Sequence, residues 1–358
     1  MNLLYKRVCF LAIGLILFNS QNLFSQEELN IKLIESNVDW FFTDFVGDKP
    51  GIVVSVMKQG DIVFNKAYGY SNIESKVKMT TDKAFNLAAL SKTFTSVAIL
   101  KLAEKKKLSL EDNLTDIFKD FPEYGKKVKI KNLLNHTSGL KNYNLDQIKN
   151  NKEVLDFLKS QDSLVFEPNT QQKYSNADYS LLAQIIEKES KKSYKDYLRK
   201  IFFKKYALGN TFLTEDLLAE LVATPYFRVE KEYESKSVLS NIYGEQGIYT
   251  NSSDYLKWAS SLYENKIISS ENVSKMFSLQ DLNELSANNS YAYGWVIMQR
   301  NGEKYYWHAG TDFGYSNLVL YLPDYEITVL LLSNKNDGSD YLRTAIKIAK
   351  QFEKDLKL

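Results

Sequence analysis

The sequence predicts an α/β fold of the α+β kind, in which helices flank an antiparallel sheet built from both ends of the chain. Strand-like segments separated by turn residues occur at 51–70 and again from about 290 to 333. Helical periodicity dominates residues 89–265 and returns at 339–357. We therefore expect sheet parts at about 30–85 and 285–358, with a large central helical insertion at about 90–265 packed against them.

The individual strands are indicated by apolar runs that end at turn signals. The segment GIVVSVMKQGDIVFNKAYGY at 51–70 predicts two strands around a Gln-Gly-Asp turn. Further strands are predicted by the runs YAYGWVIMQ, KYYWHA, YSNLVLYL and EITVLLLS, with Asn301-Gly302 and Pro323-Asp324 as turns. Packing the helical insertion against this sheet creates a cleft at their junction, where binding sites preferentially form.

Residues 1–25 have the composition of a secretory signal peptide. Lys6 and Arg7 precede the apolar run VCFLAIGLILF, which ends in small or polar residues near Ser25. The alternative is a membrane anchor that stays in place, but the run is short for a spanning helix. We expect a folded domain over residues 26–358, periplasmic or secreted, without a membrane segment after cleavage. Because Cys9 is the single cysteine, that domain has no disulfide.

The charge balance excludes classes of partner that need a strongly charged surface. Removing the signal peptide leaves 44 of the 46 basic residues against 44 acidic ones. A chain without net charge gives no reason to expect nucleic-acid binding or attraction to a membrane surface. We expect a small-molecule or peptide ligand in the cleft and no cofactor.

The most informative position is Ala89, in the tetrad Ala89-Leu90-Ser91-Lys92. The tetrad leads into the apolar-periodic stretch SVAILKLAEKKKL, as at the entrance of a helix. In serine enzymes built on S-x-x-K, the serine opens such a helix and the lysine shares its face. Here the lysine is present and an alanine occupies the serine's place.

Three further segments accompany the tetrad. Tyr174-Ser175-Asn176 leads into an amphipathic helix, and His308-Ala309-Gly310-Thr311 precedes a predicted strand hairpin. The segment LLNHTSGL at 133–140 is typical of a helix end followed by a tight glycine turn. In this order and spacing, the chain resembles the superfamily of class C β-lactamases, DD-peptidases and esterases over roughly residues 30–357. The resemblance implies the β-lactamase or penicillin-binding transpeptidase-like fold.

By this resemblance, Lys92 corresponds to the lysine that helps to activate the nucleophile, and Tyr174 to the general base. An ammonium beside a phenol favours the phenolate, so the two side chains suit that role together. Asn176 corresponds to the side chain that positions substrate. The alternatives for Lys92 and Tyr174 are a surface lysine and a core tyrosine.

The resemblance also assigns roles to the segment His308-Ala309-Gly310-Thr311. His308 stands where some relatives have the lysine of K-T-G. It is expected to be either a donor to a ligand carboxylate or a buried histidine. Gly310 keeps its strand close to the ligand. The backbone amides of Ala89 and Thr311 correspond to the oxyanion hole, which survives an exchange of serine for alanine because it uses no side chain.

Neither nearby serine is expected to replace the missing nucleophile. Each residue of a helix turns the side chain by about 100°, so Ser91 is expected to point away from Lys92. Ser138-Gly139-Leu140-Lys141 also spells S-x-x-K but lies at a glycine turn. A two-histidine metal site at His136 and His308 is not expected, because no Asp, Glu or Cys cluster with ligand spacing accompanies them.

Three functions follow from this pattern. The first is an exported member of a serine hydrolase family that lacks the acylating nucleophile and binds a peptide, β-lactam-like or ester ligand non-covalently. The second is an active hydrolase of ester or amide bonds that uses water activated by Tyr174 and Lys92. The third is an interaction protein in which the cleft is vestigial.

Overall fold

The protein is described by a computed structural model over residues 31–144, 147–230, 232–236, 239–278, 289–312 and 314–358. The predicted signal peptide, residues 1–25, lies outside the described residues. The helices are 31–40 (α1), Lys92–Glu104 (α2), Leu114–Ile117 (α3), Ile130–Leu134 (α4), Asn151–Lys159 (α5), Asn176–Ser190 (α6), Tyr194–Leu198 (α7), Ser252–Tyr263 (α8), Ser270–Met276 (α9) and Tyr341–Phe352 (α10).

Strands occur at both ends of the chain and, as short segments, inside the helical part. They are Ile52–Lys58 (β1), Asp61–Tyr68 (β2), Tyr70–Asn72 (β3), Val77–Lys78 (β4), Phe85–Asn86 (β5), Phe212–Leu213 (β6), Tyr226–Val229 (β7), Glu232–Ser235 (β8), Ile248–Thr250 (β9), Asn289–Ala292 (β10), Trp295–Arg300 (β11), Glu303–Asp312 (β12), Tyr315–Leu322 (β13), Ile327–Ser333 (β14) and Lys335–Asn336 (β15).

The main sheet joins the two ends of the chain. Its strand order is β10-β11-β12-β13-β14-β1-β2, and every neighbouring pair is antiparallel. The two halves meet at β1 and β14, from the pair Ile52 and Ser333 to the pair Lys58 and Ile327. The predicted fold class is therefore confirmed: a large antiparallel sheet drawn from both chain ends carries helices on its faces.

Alternate residues of the central strands face two separate hydrophobic cores. Val54 and Leu331 belong to a core that includes residues of α1 and α10, whereas Val53 and Leu330 face the helical part. This alternation is the period-2 geometry of a strand buried on both faces. The strand β12, which carries the predicted site residues, therefore presents every second side chain to the helical part.

The structure adds two details to the predicted organisation. The run YAYGWVIMQ forms two strands, β10 and β11, because the chain turns at Tyr293 and Gly294, both with positive φ. The central part is not helical throughout, since β6 to β9 lie within it and β7 pairs with β15. None of the helices that the structure describes has the length and hydropathy of a membrane span.

Asn334 connects the sheet to the central insertion. This fully buried side chain accepts a hydrogen bond from the Gly51 amide at 2.6 Å and donates to the carbonyls of Thr224 at 2.8 Å and Tyr70 at 3.2 Å. One amide group thus satisfies backbone groups from the start of β1, from β3 and from the segment before β7. Buried backbone groups require such partners, so Asn334 holds these segments in place.

We predict that Asn334→Ala lowers the free energy of unfolding by about 3 kcal/mol, because buried backbone groups lose their partners and each costs about 1–3 kcal/mol. Urea unfolding of the purified protein measures the change. Asn37→Ala is the matched control, because Asn37 is exposed and donates to the side chain of Gln351 at the surface. The control should stay within about 0.5 kcal/mol of the unaltered protein. Equal stability of the two variants would contradict the role assigned to Asn334.

Candidate active site

Ala89, predicted to occupy the nucleophile's position, lies in a short 3₁₀ turn, Ala88–Ser91, directly before α2. Ala88 has a positive φ of 47°, and its amide donates to Asn86 Oδ1 at 2.9 Å. Ala89 is partly exposed, although its neighbours Ala88 and Leu90 are buried. The turn therefore presents the Ala89 methyl group outward, one turn from Lys92.

Lys92 is completely buried, and its ammonium lies close to Asn176, Glu245 and Tyr174. The Nζ atom donates to Asn176 Oδ1 at 2.9 Å and to the carbonyl oxygen of Glu245 at 3.3 Å. It lies 3.9 Å from the carboxylate oxygen Oε2 of Glu245 and 4.9 Å from the centroid of the Tyr174 ring. The structure thus brings together Ala89, Lys92, Tyr174 and Asn176, which are up to 87 positions apart in the sequence.

Tyr174 and Asn176 are positioned by the segment that contains His136. Tyr174 is 47% exposed, and its ring centroid lies 4.5 Å from that of His136. His136 Nδ1 accepts from the Ser175 amide at 3.3 Å and lies 2.9 Å from Asp178 Oδ2. Burial lowers the pKa of His136 and raises the pKa of Asp178, because it disfavours the charged form of each group. His136 therefore fixes the start of α6, where Asn176 is the first residue.

His308 lies on β12 and faces the helical part. Its ring is buried, and Nε2 lies 3.3 Å from the hydroxyl of Tyr291. Burial and the nearby charge of Lys92 lower the pKa of His308 to about 3, which leaves the imidazole neutral at physiological pH. The structure thus favours the buried alternative for His308, and a role toward a ligand stays a prediction.

Gly310 allows β12 to lie directly against the turn that holds Ala89. A Cβ atom at this position would lie 1.9 Å from the carbonyl oxygen of Leu87 and 2.8 Å from the amide of Leu90. Thr311 follows on the same strand, paired with Ser316, and its side chain is exposed. The two backbone amides predicted to form an oxyanion hole, those of Ala89 and Thr311, therefore belong to segments in direct contact.

Glu245 and Tyr143 are site residues that the sequence analysis did not identify. The Tyr143 hydroxyl donates to Glu245 Oε1, and Glu245 is only 2% exposed. Burial raises the pKa of Glu245, whereas the charge of Lys92 and the Tyr143 hydrogen bond oppose this effect. The signal for this residue was its place between Gly244 and Gly247, both with positive φ, since paired glycines of this kind mark a tightly placed loop.

The two alternative serines have structural partners. Ser91 is buried, and its hydroxyl oxygen accepts from the Ile248 amide at 3.3 Å. The hydroxyl of Ser138 donates to Asp178 at 2.5 Å.

Tyr291 lies between the rings of His136 and His308, the two histidines of the sequence. Within the described ranges, no three His, Cys, Asp or Glu side chains are grouped so that they would hold a metal ion.

The protein-family model described as beta-lactamase matches residues 38–352, which includes all of these residues. The chain belongs to this family. It is 32% identical over 316 residues to penicillin-binding protein 4* of Bacillus subtilis, covering 81% of this chain and 69% of that protein. It is 28% identical over 340 residues to protein flp of Staphylococcus aureus, covering 89% of this chain and 64% of that protein. The chain thus spans about two thirds of the length of these relatives.

Solved structures show the same fold. The octameric penicillin-binding protein homologue from Pyrococcus abyssi matches with a TM-score of 0.80 at 25% identity, over 90% of this chain and 77% of that one. The D-amino acid amidase from Ochrobactrum anthropi SV3, complexed with L-phenylalanine amide, matches with a TM-score of 0.75 at 18% identity, over 90% and 99% of the two chains. At that identity, the second likeness concerns the fold alone.

We predict that His308 makes the protein less stable in acid. The unfolded chain takes up a proton near pH 6.5 and the folded protein only near pH 3, so unfolding becomes easier as the pH falls below about 6.5. Between pH 7 and pH 5, the loss of unfolding free energy should be about 2 kcal/mol larger in the unaltered protein than in His308→Gln. Urea unfolding of both proteins at each pH provides the comparison, and equal losses would contradict a buried neutral His308.

Proposed function

We propose that this protein is an exported member of its family that binds a carbonyl-containing ligand in the cleft without forming an acyl-enzyme. The ligand would be a peptide, an ester or a β-lactam-like compound. The observation that carries the proposal is Ala89 on the turn before α2, one turn from the buried Lys92. Export is proposed from the composition of residues 1–25, and periplasmic or secreted localisation follows from it.

An alanine at position 89 has no hydroxyl group to attack a carbonyl carbon. Loss of a catalytic serine costs about a million-fold in rate in a serine protease, or roughly 8 kcal/mol of transition-state stabilisation. Ser91 and Ser138 do not offer a substitute, since the first bonds Ile248 and the second bonds Asp178. The covalent route of the family therefore lacks its attacking atom.

The groups around Ala89 support a retained ligand site. Lys92 keeps its hydrogen bond to Asn176, and Gly310 keeps β12 against the Ala89 turn. Oxyanion stabilisation depends on backbone amides, which an alanine supplies as well as a serine. Under this proposal, a ligand carbonyl still finds donors in the cleft but meets a methyl group where a nucleophile would act.

Restoring the hydroxyl tests the proposal. We expect Ala89→Ser to gain an acetyl group from p-nitrophenyl acetate, seen as a mass increase of the intact protein and a burst of nitrophenol, because the supporting groups remain in place. The double variant with Lys92→Ala should lose this gain. Ala103→Ser places a serine elsewhere on α2 and is the matched control, with no burst expected.

Assays on the unaltered protein distinguish this proposal from the two other functions. Covalent acetylation of a cleft residue without any substitution would contradict the proposal. Ester turnover above background that Tyr174→Phe abolishes would show the water-activating hydrolase instead. If Ala89→Ser remains as inert as Ala103→Ser, the supporting groups are not aligned, and the vestigial cleft is the better description.

A further inference from the structure

The buried ammonium of Lys92 already has a carboxylate partner within the protein. Glu245 Oε2 lies 3.9 Å from Lys92 Nζ, and the side chains are 2% and 0% exposed. Tyr143 donates to the other carboxylate oxygen, and its side chain is buried as well. An ion pair of this kind is internally compensated, so the lysine does not need a ligand carboxylate to balance its charge.

The residues on the β12 side of the cleft also offer no positive charge to a ligand carboxylate. His308, at the position predicted to correspond to the lysine of K-T-G, is a buried neutral imidazole. The strand continues through Thr311 to Asp312, whose negative charge acts on Glu245. The histidine therefore supplies no positive charge for a ligand carboxylate on this side of the cleft.

The loop that carries Glu245 is held firmly against the helices around Lys92. A Cβ atom at Gly244 would lie 2.1 Å from the Tyr179 carbonyl oxygen, and the Gly244 carbonyl accepts from Thr95 at 2.6 Å. The adjoining Ile248 amide donates to Ser91. These contacts fix the Glu245 carboxylate beside Lys92, so it does not withdraw to make room for a negatively charged ligand.

We infer that the cleft selects uncharged ester or amide ligands over ligands that carry a carboxylate, and that Glu245, held between Lys92 and Tyr143, sets this preference. The inference rests on the proposed function and narrows its ligand class. An unpaired Lys92 ammonium would attract a ligand carboxylate, whereas the Glu245 carboxylate fixed beside it cancels that attraction and disfavours a second carboxylate nearby.

Positive charge on the other side of the cleft offers a competing source of selectivity. Lys141 and Lys173 are exposed and line a cavity of about 220 Å³, together with Tyr174 and residues 138–140. If a ligand carboxylate reached this cavity, these two lysines would favour it. A test must therefore separate their effect from that of Glu245.

Benzylpenicillin and its methyl ester form a suitable pair of probes, because they differ only in the carboxylate. Calorimetric titration of the unaltered protein should show binding of the ester about tenfold or more tighter than that of the acid. Glu245→Gln should shift the ratio of the two affinities about tenfold toward the acid, which is a comparison of two probes within one variant. Glu303→Gln is the matched control, since Glu303 is also buried and accepts from a tyrosine hydroxyl, that of Tyr325.

The pH dependence provides a readout in the unaltered protein that does not depend on a variant folding. The pKa of Glu245 is raised by burial, with Lys92, Tyr143 and Asp312 as the charged and titratable groups that act on it. Its carboxylate is therefore neutralised at a higher pH than an ordinary glutamate. We expect affinity for benzylpenicillin to rise as the pH falls, and this rise to be absent in Glu245→Gln.

The possible outcomes separate the inference from the proposed function. Equal or tighter binding of the acid by the unaltered protein would overturn the charge preference while leaving ligand binding intact. Loss of acid binding on substituting Lys141 and Lys173 by Gln would assign selectivity to the cavity and also overturn it. If neither probe binds at any pH, the proposed function fails together with the inference that rests on it.

Discussion

The site is organised around the burial of one charge, the ammonium of Lys92. A fully buried ammonium is strongly unfavourable unless charged and hydrogen-bonding partners compensate it. Those partners come from two separate parts of the chain: the segment at the start of α6, which supplies Asn176 and the Tyr174 ring, and the glycine-bounded loop, which supplies Glu245. Folding α2 into the core therefore requires these segments to converge, and their convergence forms the cleft. The requirement does not involve the side chain at position 89.

This constraint gives a physical reason why a cleft of this family would keep its form without a nucleophile. The ammonium needs its partners for stability, whether or not a hydroxyl group stands beside it. The neighbouring polar groups also bond within the protein, since Ser138 bonds Asp178 and His136 fixes the Ser175 amide. A serine exchanged for alanine at position 89 would thus remove reactivity and leave the supporting contacts in place.

The sequence predicted the main sheet because its strands are long apolar runs with turn residues between them. It missed the turn at Tyr293-Gly294, since apolar residues continue through it, and it missed β6 to β9, which have two to four residues and show little periodicity. Motif spacing indicated which residues would gather around Ala89. Glu245 was not predicted because its role depends on contact with Lys92, 153 positions away; the flanking glycines indicate a tightly placed loop but not that contact. The orientation of His308 was equally hidden, because both faces of β12 are covered.

The central claim is that a ligand carbonyl reaches the Ala89 turn and stays unbonded. The most direct measurement is a crystal structure of the unaltered protein soaked with benzylpenicillin methyl ester. We predict an intact β-lactam ring with its carbonyl oxygen between the amides of Ala89 and Thr311, and no continuous density to any side chain. Density that joins the ligand covalently to a residue of the cleft would contradict the account.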